Sequence, residues 1–199
     1  MILETQPKTF VIALKDHPIS ESQLADCLTS AKEHGWNVEV FWGVNGNTLT
    51  DDSWKSIGVT PRLDKPTMNK KGTWGCFFSH WNLWNLCVKL NKPIIILEHD
   101  AIIQQPWSPI TIDKSLLKLH RYYKRKNIKF DEDTGQWSPS THAYCILPKH
   151  AEILIDFSKK VGGFETDRML GSNVIDVYHI DRKPCIVTRQ DSYSTTENL

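Results

Sequence analysis

Residues 9–44 read TFVIALKDHPISESQLADCLTSAKEHGWNVEVFWGV. Thr9 to Leu14 is a short apolar run, the pattern of a buried strand. Ser20 and Gln23 have the spacing of a capping box. Leu24, Cys27, Leu28 and Ala31 then fall at i, i+3, i+4 and i+7, which puts them on one helix face. Gly35 suits the end of that helix. Val38 to Val44 reads as a second strand, closed by Asn45-Gly46. Strand, helix and strand in so short a span form a βαβ unit, and such units join parallel strands. An α/β fold is expected.

Downstream the same alternation continues. Residues 45–74 are dominated by Gly, Pro, Asn, Lys and Thr, and only Asp51 to Ile57 predicts a short helix. A loop of that length is either functional or a surface excursion. From Phe77 to Leu90 the helical pattern is strong. Phe77, Trp81, Trp84 and Val88 form one ridge, and His80, Leu83, Cys87 and Leu90 the next. Ser79, Asn82, Asn85 and Lys89 leave only a polar stripe, so the helix is largely buried. Lys92-Pro93 ends it, and Ile94 to Leu97 follows as a central strand that runs into Glu98-His99-Asp100. Ala143 to Leu147 predicts a strand, and Pro148 opens a helix with Ala151, Leu154, Ile155 and Ser158 inside. Val174 to Ile180 and Cys185 to Thr188 predict late strands. The expectation is a single domain over residues 1–199 with its core at about 9–190. Its central sheet is mostly parallel and flanked by helices. The polar tail from Asp191 is expected to be mobile.

Composition narrows the classes. The chain has 199 residues, 40% hydrophobic and 24% charged, enough for one sizeable core. A net charge of +1 and plentiful aromatics exclude general disorder and a wholly basic coat protein. There is no apolar run of the ~18 residues that a membrane helix needs. Met1 to Thr5 lacks a basic, apolar leader. The expected location is cytoplasmic, in the host cytoplasm if the protein is phage-encoded. Cys27, Cys76, Cys87, Cys145 and Cys185 are odd in number, scattered and without CxxC, and read as buried free thiols. The eight tryptophans suit either a core or a surface that stacks sugars or bases.

The chemistry concentrates at Glu98-x-Asp100. Ligands of open α/β sheets bind outside the carboxyl ends of strands. Charges at such a strand end require solvent, a cation or hydrogen-bond donors. Two carboxylates are hard ligands for Mg²⁺ or Mn²⁺, and an ion so held keeps positions for substrate phosphates. A nucleotide diphosphate would suit it; a strand-end turn with solvated charges is the alternative. Further on, Leu117 to Phe130 is basic, with Arg121, Tyr122, Tyr123, Lys124 and Arg125 interleaving cations and rings. Such a surface grips a nucleic-acid backbone and stacks a base, binds an acidic saccharide, or is simply a solvated helix face.

These motifs together carry a family resemblance. Gly72, Gly75-Cys76-Phe77-Phe78-Ser79-His80-Trp81-Asn82-Leu83-Trp84, then Pro93 to Ala101 with Glu98-His99-Asp100, then Thr141 to Leu147, resemble glycosyltransferase family 25. The family's usual middle acid is His99 here, and the outer carboxylates are kept. After the first strand, Lys15-Asp16 stands where a basic pair is usual. The resemblance implies a GT-A fold and inverting transfer of a hexosyl or pentosyl group from a nucleotide-diphosphate sugar, a UDP-sugar foremost. Mn²⁺ or Mg²⁺ would assist. It implies donor contacts at Leu14, Lys15, Asn45, Ser79, His80, Glu98 and His99, with Ser79 and His80 beginning a helix whose positive end faces the diphosphate. It implies metal ligands at Glu98, Asp100 and His179, the last being otherwise a satisfied strand histidine. The base is Asp167 or Glu165; Asp167 is otherwise a helix N-terminal charge. The acceptor is a saccharide such as lipopolysaccharide, or a hydroxymethylated DNA base in a phage setting. A non-catalytic nucleotide-sugar- or glycan-binding domain, or a metal-dependent hydrolase of nucleotide sugars, stands as the rival reading.

Overall fold

The computed structural model describes residues 1–112, 116–120, 128–137, 139–180 and 186–190. The chain opens with a two-residue strand β1 (Ile2–Leu3) and enters the sheet as β2 (Lys8–Ala13). Helix α1 (Pro18–Glu33) returns it to β3 (Val38–Trp42), parallel to β2, as the βαβ pattern predicts. The short α2 (Asp51–Ser56) precedes the long α3 (Lys71–Leu90), which delivers β4 (Ile94–Glu98). Small strands follow: β5 (Ala101–Ile103), β6 (Ile110–Thr111), β7 (Leu116–Lys118) and the pair β8 (Lys129–Asp131) and β9 (Gly135–Trp137). The chain then runs through β10 (Ala143–Ile146), α4 (Pro148–Val161), α5 (Thr166–Met169), β11 (Val177–His179) and β12 (Val187–Arg189).

The main sheet has the order β11-β7-β10-β4-β2-β3. Three of its five pairings are parallel, and β10 runs antiparallel to both neighbours. Strand side chains alternate between the two faces. Phe10, Ile12, Ile94, Ile96, Tyr144 and Ile146 join the core that holds α3 and α4. Val11, Ala13, Ile95, Leu97, Ala143 and Cys145 join the core that holds α1. Both faces are covered, which is why Ile94 to Leu97 is continuously apolar. Four of the eight tryptophans, Trp54, Trp74, Trp81 and Trp84, serve the first core: Trp54 stacks on Phe77 at 4.8 Å, edge-on to Trp74 and Phe78. Cys27, Cys87 and Cys145 are buried free thiols and Cys76 is partly exposed.

Three boundaries differ from expectation. Helix α1 starts at Pro18, not at a Ser20–Gln23 box, and is capped by His17, whose Nδ1 accepts from the Ser20 amide at 3.3 Å. Proline lacks an N–H and has a preset φ, so it fits the first helical position. Ser20 Oγ is used elsewhere, accepting from the Leu14 amide at 2.8 Å. Helix α3 starts at Lys71, so Gly72, Gly75, Ser79 and His80 all lie inside it. Glycine propensity argues against this, but the fold needs Gly75 there: a Cβ would stand 2.5 Å from the Val44 carbonyl oxygen. The late strand shrinks to Val177–His179, because the Val174 and Ile175 amides turn back and donate to the Gly171 carbonyl at 3.0 Å. Arg121, Tyr122, Tyr123, Lys124, Arg125, Cys185 and the tail from Asp191 lie outside the described residues.

Candidate active site

Strand β4, interior to the sheet between β10 and β2, ends at Glu98. Glu98 Oε1 accepts from Thr141 Oγ1 at 2.5 Å and lies 3.3 Å from His80 Nε2. Burial alone would raise this carboxyl, but the hydrogen bonds from His80 and Thr141 and the electrostatic pull of the His80 and His142 rings bring it down to about 2. Asp100, two residues on, has Oδ2 2.5 Å from Arg189 Nε, while its buried Oδ1 has no hydrogen-bond partner among the described residues. Burial and the Glu98 charge push Asp100 up, with Arg189 opposing. His99 Nδ1 lies 3.3 Å from Ser20 Oγ, and burial pushes its pKa down.

A cavity of about 420 Å³ opens beside this strand end. Glu98, Cys76 and Thr141 line it, as do Glu165 and Asp167 from the start of α5. Lys70, Lys129, Arg168 and Arg189 supply cations to the same wall. Asp167 Oδ2 accepts from the Ser140 amide at 3.4 Å, and burial raises its pKa against the opposing charge of Lys118. Glu165 is committed to the protein: its Oε1 accepts from Thr67 Oγ1 at 2.7 Å and from the Thr67 amide at 3.2 Å. Behind this wall, Asp131 binds Lys65 at 2.7 Å and Arg168 at 3.1 Å, and Lys65 also binds Asp133 at 2.7 Å.

A second cavity, about 60 Å³, adjoins the first. Leu14, Ser79, His80, Glu98 and His99 line it together with Ile12, Val44, Gly72, Gly75 and Cys76. Five of the residues expected at the donor therefore meet here. Ser79 and His80 are more than a turn inside α3, so they do not form a helix-end anion site. Ser79 Oγ donates to the Gly75 carbonyl at 2.7 Å and accepts from the Val44 amide at 2.9 Å, pinning the loop after β3 to the helix. Asn45 caps a single 3-10 turn, accepting from the Asn47 amide at 3.0 Å, and Lys15 is exposed. Neither is among the residues that line the cavity.

His179 stands elsewhere. It meets His120 edge-on at 5.2 Å, and His120 stacks on His142 at 4.2 Å. Among the described residues, one group of three Cys, His or acidic ligand atoms lies within 4.8 Å: Cys76, His80 and Glu98. His179 is not part of it.

Sequence reasoning missed Lys118, Arg189 and Cys76. Lys118 is fully buried, and burial draws its pKa down to about 8 although Asp167 and Glu98 pull upward. It ends β7, yet in sequence it only begins a basic run. Arg189 is 89 residues from its partner Asp100, so no spacing rule connects them. Cys76 carried a signal: it is four residues before His80, one helical turn away on the same face.

The sequence profile described as Glycosyltransferase family 25 (LPS biosynthesis protein) matches residues 6–136. A Glycosyltransferase 25 family member of Aedes aegypti is 30% identical over 117 residues, 53% of this chain and 19% of its own length. One of Anopheles gambiae is 32% identical over 78 residues, 37% of this chain and 13% of its own length. The chain thus spans about a fifth or less of the curated relatives it matches. Among solved structures, a glycosyltransferase involved in the glycosylation of the major capsid of PBCV-1 aligns with a TM-score of 0.40 at 12% identity, covering 78% of this chain and 69% of its own. The PaToxG glycosyltransferase aligns with a TM-score of 0.42 at 14% identity, covering 86% and 68%.

Proposed function

The chain belongs to glycosyltransferase family 25, and on that premise we propose that it moves a sugar from a nucleotide-diphosphate sugar to a hydroxyl acceptor with inversion. One observation carries the reading. Glu98 from the end of β4 and Asp167 from α5 line the same cavity, where the cations Lys70, Lys129, Arg168 and Arg189 face them.

The donor's diphosphate suits that cationic wall, and its nucleoside suits the adjoining cavity under Leu14, Ser79 and His99. The carboxyls of Glu98 and Asp100 fit a divalent cation, because Asp100 Oδ1 is buried and has no hydrogen-bond donor among the described residues. When bound, Mn²⁺ or Mg²⁺ supplies charge neutralisation for the leaving diphosphate. Arg189 holds Asp100 through its other oxygen, and Thr141 and His80 keep Glu98 ionised and oriented.

Inversion by one displacement needs a base for the acceptor proton. Asp167 is that base in this reading. Its carboxyl lines the cavity and burial raises its pKa, which strengthens it as a proton acceptor. Glu165, held at Oε1 by Thr67 and with Oε2 3.6 Å from Arg168 Nε, is the weaker choice. The acceptor is a saccharide of the lipopolysaccharide type or a hydroxymethylated DNA base. The basic wall favours an acceptor that carries negative charge in either case.

The test is release of nucleotide diphosphate from a panel of nucleotide sugars with Mn²⁺. Each is offered acidic saccharide, hydroxymethylcytosine DNA or no acceptor. Acceptor-dependent release that disappears in Asp100→Asn and Asp167→Asn supports the proposal and identifies the acceptor. Release independent of acceptor points to hydrolysis. Tight donor binding without release points to a non-catalytic binding domain.

A further inference from the structure

We propose that Cys76, His80 and Glu98 form a binding site for a thiophilic divalent cation of the Zn²⁺ class, at the junction of the two cavities. The three ligand atoms lie within 4.8 Å of one another. Cys76 and His80 are one turn apart on the same face of α3, and Glu98 meets them from the end of β4. Thiolate, imidazole and carboxylate are each ordinary Zn²⁺ ligands, whereas Mg²⁺ and Mn²⁺ favour oxygen alone.

Access and support accompany the ligand set. All three residues line the 60 Å³ cavity, and Cys76 and Glu98 also line the 420 Å³ one. Three protein ligands leave a fourth position of a tetrahedral ion open to that space. Each ligand has an outer contact that orients it, the usual setting of a metal ligand. His80 Nδ1 lies 2.7 Å from Tyr144 Oη, which accepts from Trp84 Nε1 at 3.0 Å. Thr141 Oγ1 binds Glu98, and Thr166 Oγ1 lies 3.6 Å from Cys76 Sγ.

The protons balance simply. Without the ion, Tyr144 Oη donates to His80 Nδ1, and His80 Nε2–H faces Glu98. With it, His80 Nε2 gives its lone pair to the metal and carries its proton on Nδ1, where Tyr144 Oη accepts it. The Cys76 thiol proton passes to solvent, so one proton is released per ion bound. An ion here uses Glu98 and thus withdraws it from the Glu98–Asp100 pair. That last consequence rests on the transferase reading; the site itself does not.

The experiment is a Co²⁺ titration of the full chain under reducing, oxygen-free conditions without nucleotide. The expected result is one equivalent bound, with a near-ultraviolet thiolate-to-cobalt charge-transfer band and the intense visible bands of a four-coordinate ion. Zn²⁺ added afterwards should abolish both. Cys76→Ser should lose the charge-transfer band while keeping the wild-type circular dichroism and melting point. His80→Gln should weaken Co²⁺ binding by at least about tenfold. No charge-transfer band in the wild-type chain, or one that persists in Cys76→Ser, overturns the proposal. These readouts need no turnover, so they stand or fall separately from the transferase assay.

Discussion

Glu98 and Asp100 are two residues apart, yet their carboxyls shift in opposite directions. Both are penalised by burial. Glu98 overcomes the penalty because His80 and Thr141 donate to it, and it falls to about 2. Asp100 has one cationic partner and feels the Glu98 charge, so it rises. The Glu98 hydrogen bond from Thr141 is charge-assisted, a type that contributes roughly 1.5–3 kcal/mol. Thr141→Val should therefore lower stability by about that amount at pH 7. Glu98 is depressed from an unfolded value of 4.5, so its contribution is complete above that value and fades as pH falls toward 2. The gap between wild type and Thr141→Val should narrow over the same window, as urea denaturation at stepped pH would report. For Asp167 the sign is reversed: its carboxyl is raised, so the acid limb of a turnover profile should lie above the usual carboxylate range. Asp100→Asn should cost turnover on the order of 100-fold, the scale of losing one electrostatic group in a reaction centre.

Among the elements, α3 was legible in its second half and misread in its first. Phe77 to Leu90 shows its period openly, but Lys71 to Cys76 contains two glycines that propensity assigns to a loop. The tertiary reason for Gly75 is that the Val44–Gly46 loop crosses the helix there, with Gly46 nitrogen 2.8 Å from the position of an added Cβ. Gly75→Ala should overpack this crossing and cost about 1–3 kcal/mol, against the gain expected for a solvent-exposed helix. An increase in the urea midpoint would contradict the crossing. The β8–β9 pair depends on ionic contacts instead. Asp131, 4% exposed, joins Lys65 and Arg168 behind the cavity wall. Removing Asp131 leaves Lys65 with Asp133 alone and Arg168 with the longer Glu165 contact, so Asp131→Ala should cost about 3 kcal/mol, the low end for a broken buried pair. Its members span residues 65 to 168, and no local pattern announced them.

The whole molecule carries a pH dependence that no single element explains. The sheet gathers His120, His142 and His179 from β7, β10 and β11 or the turns beside them. Burial lowers His120 and His142 first of all, His120 to about 2 and His142 to about 4, and His179 to about 4 as well. These rings are neutral when folded but protonate near 6.5 when unfolded. The unfolded state thus takes up more protons as pH falls below that value, and stability falls with it. Between pH 6.5 and 5 the loss should be on the order of 1–2 kcal/mol for each of His120 and His142. His142→Gln should make the fall shallower in chemical denaturation over that range.

The sequence determined the layers and marked the strand end at which the proposed site lies. Alternating apolar runs and helical periods are local, and a run as apolar as Ile94 to Leu97 has to be covered on both faces. Glu98 and Asp100 were readable for the same reason, since a carboxylate pair at the end of such a strand cannot be core. The tertiary structure decided which distant groups meet that pair. It brought Asp167 and Glu165 to the cavity with Glu98, set Arg189 on Asp100, and buried Lys118 at the end of β7. It placed His179 against His120, outside the Cys76–His80–Glu98 group, and turned Cys76 toward His80. Each of these depends on strand order across the sheet. Strand order is fixed by how two cores pack on opposite faces, and chain spacing does not encode it.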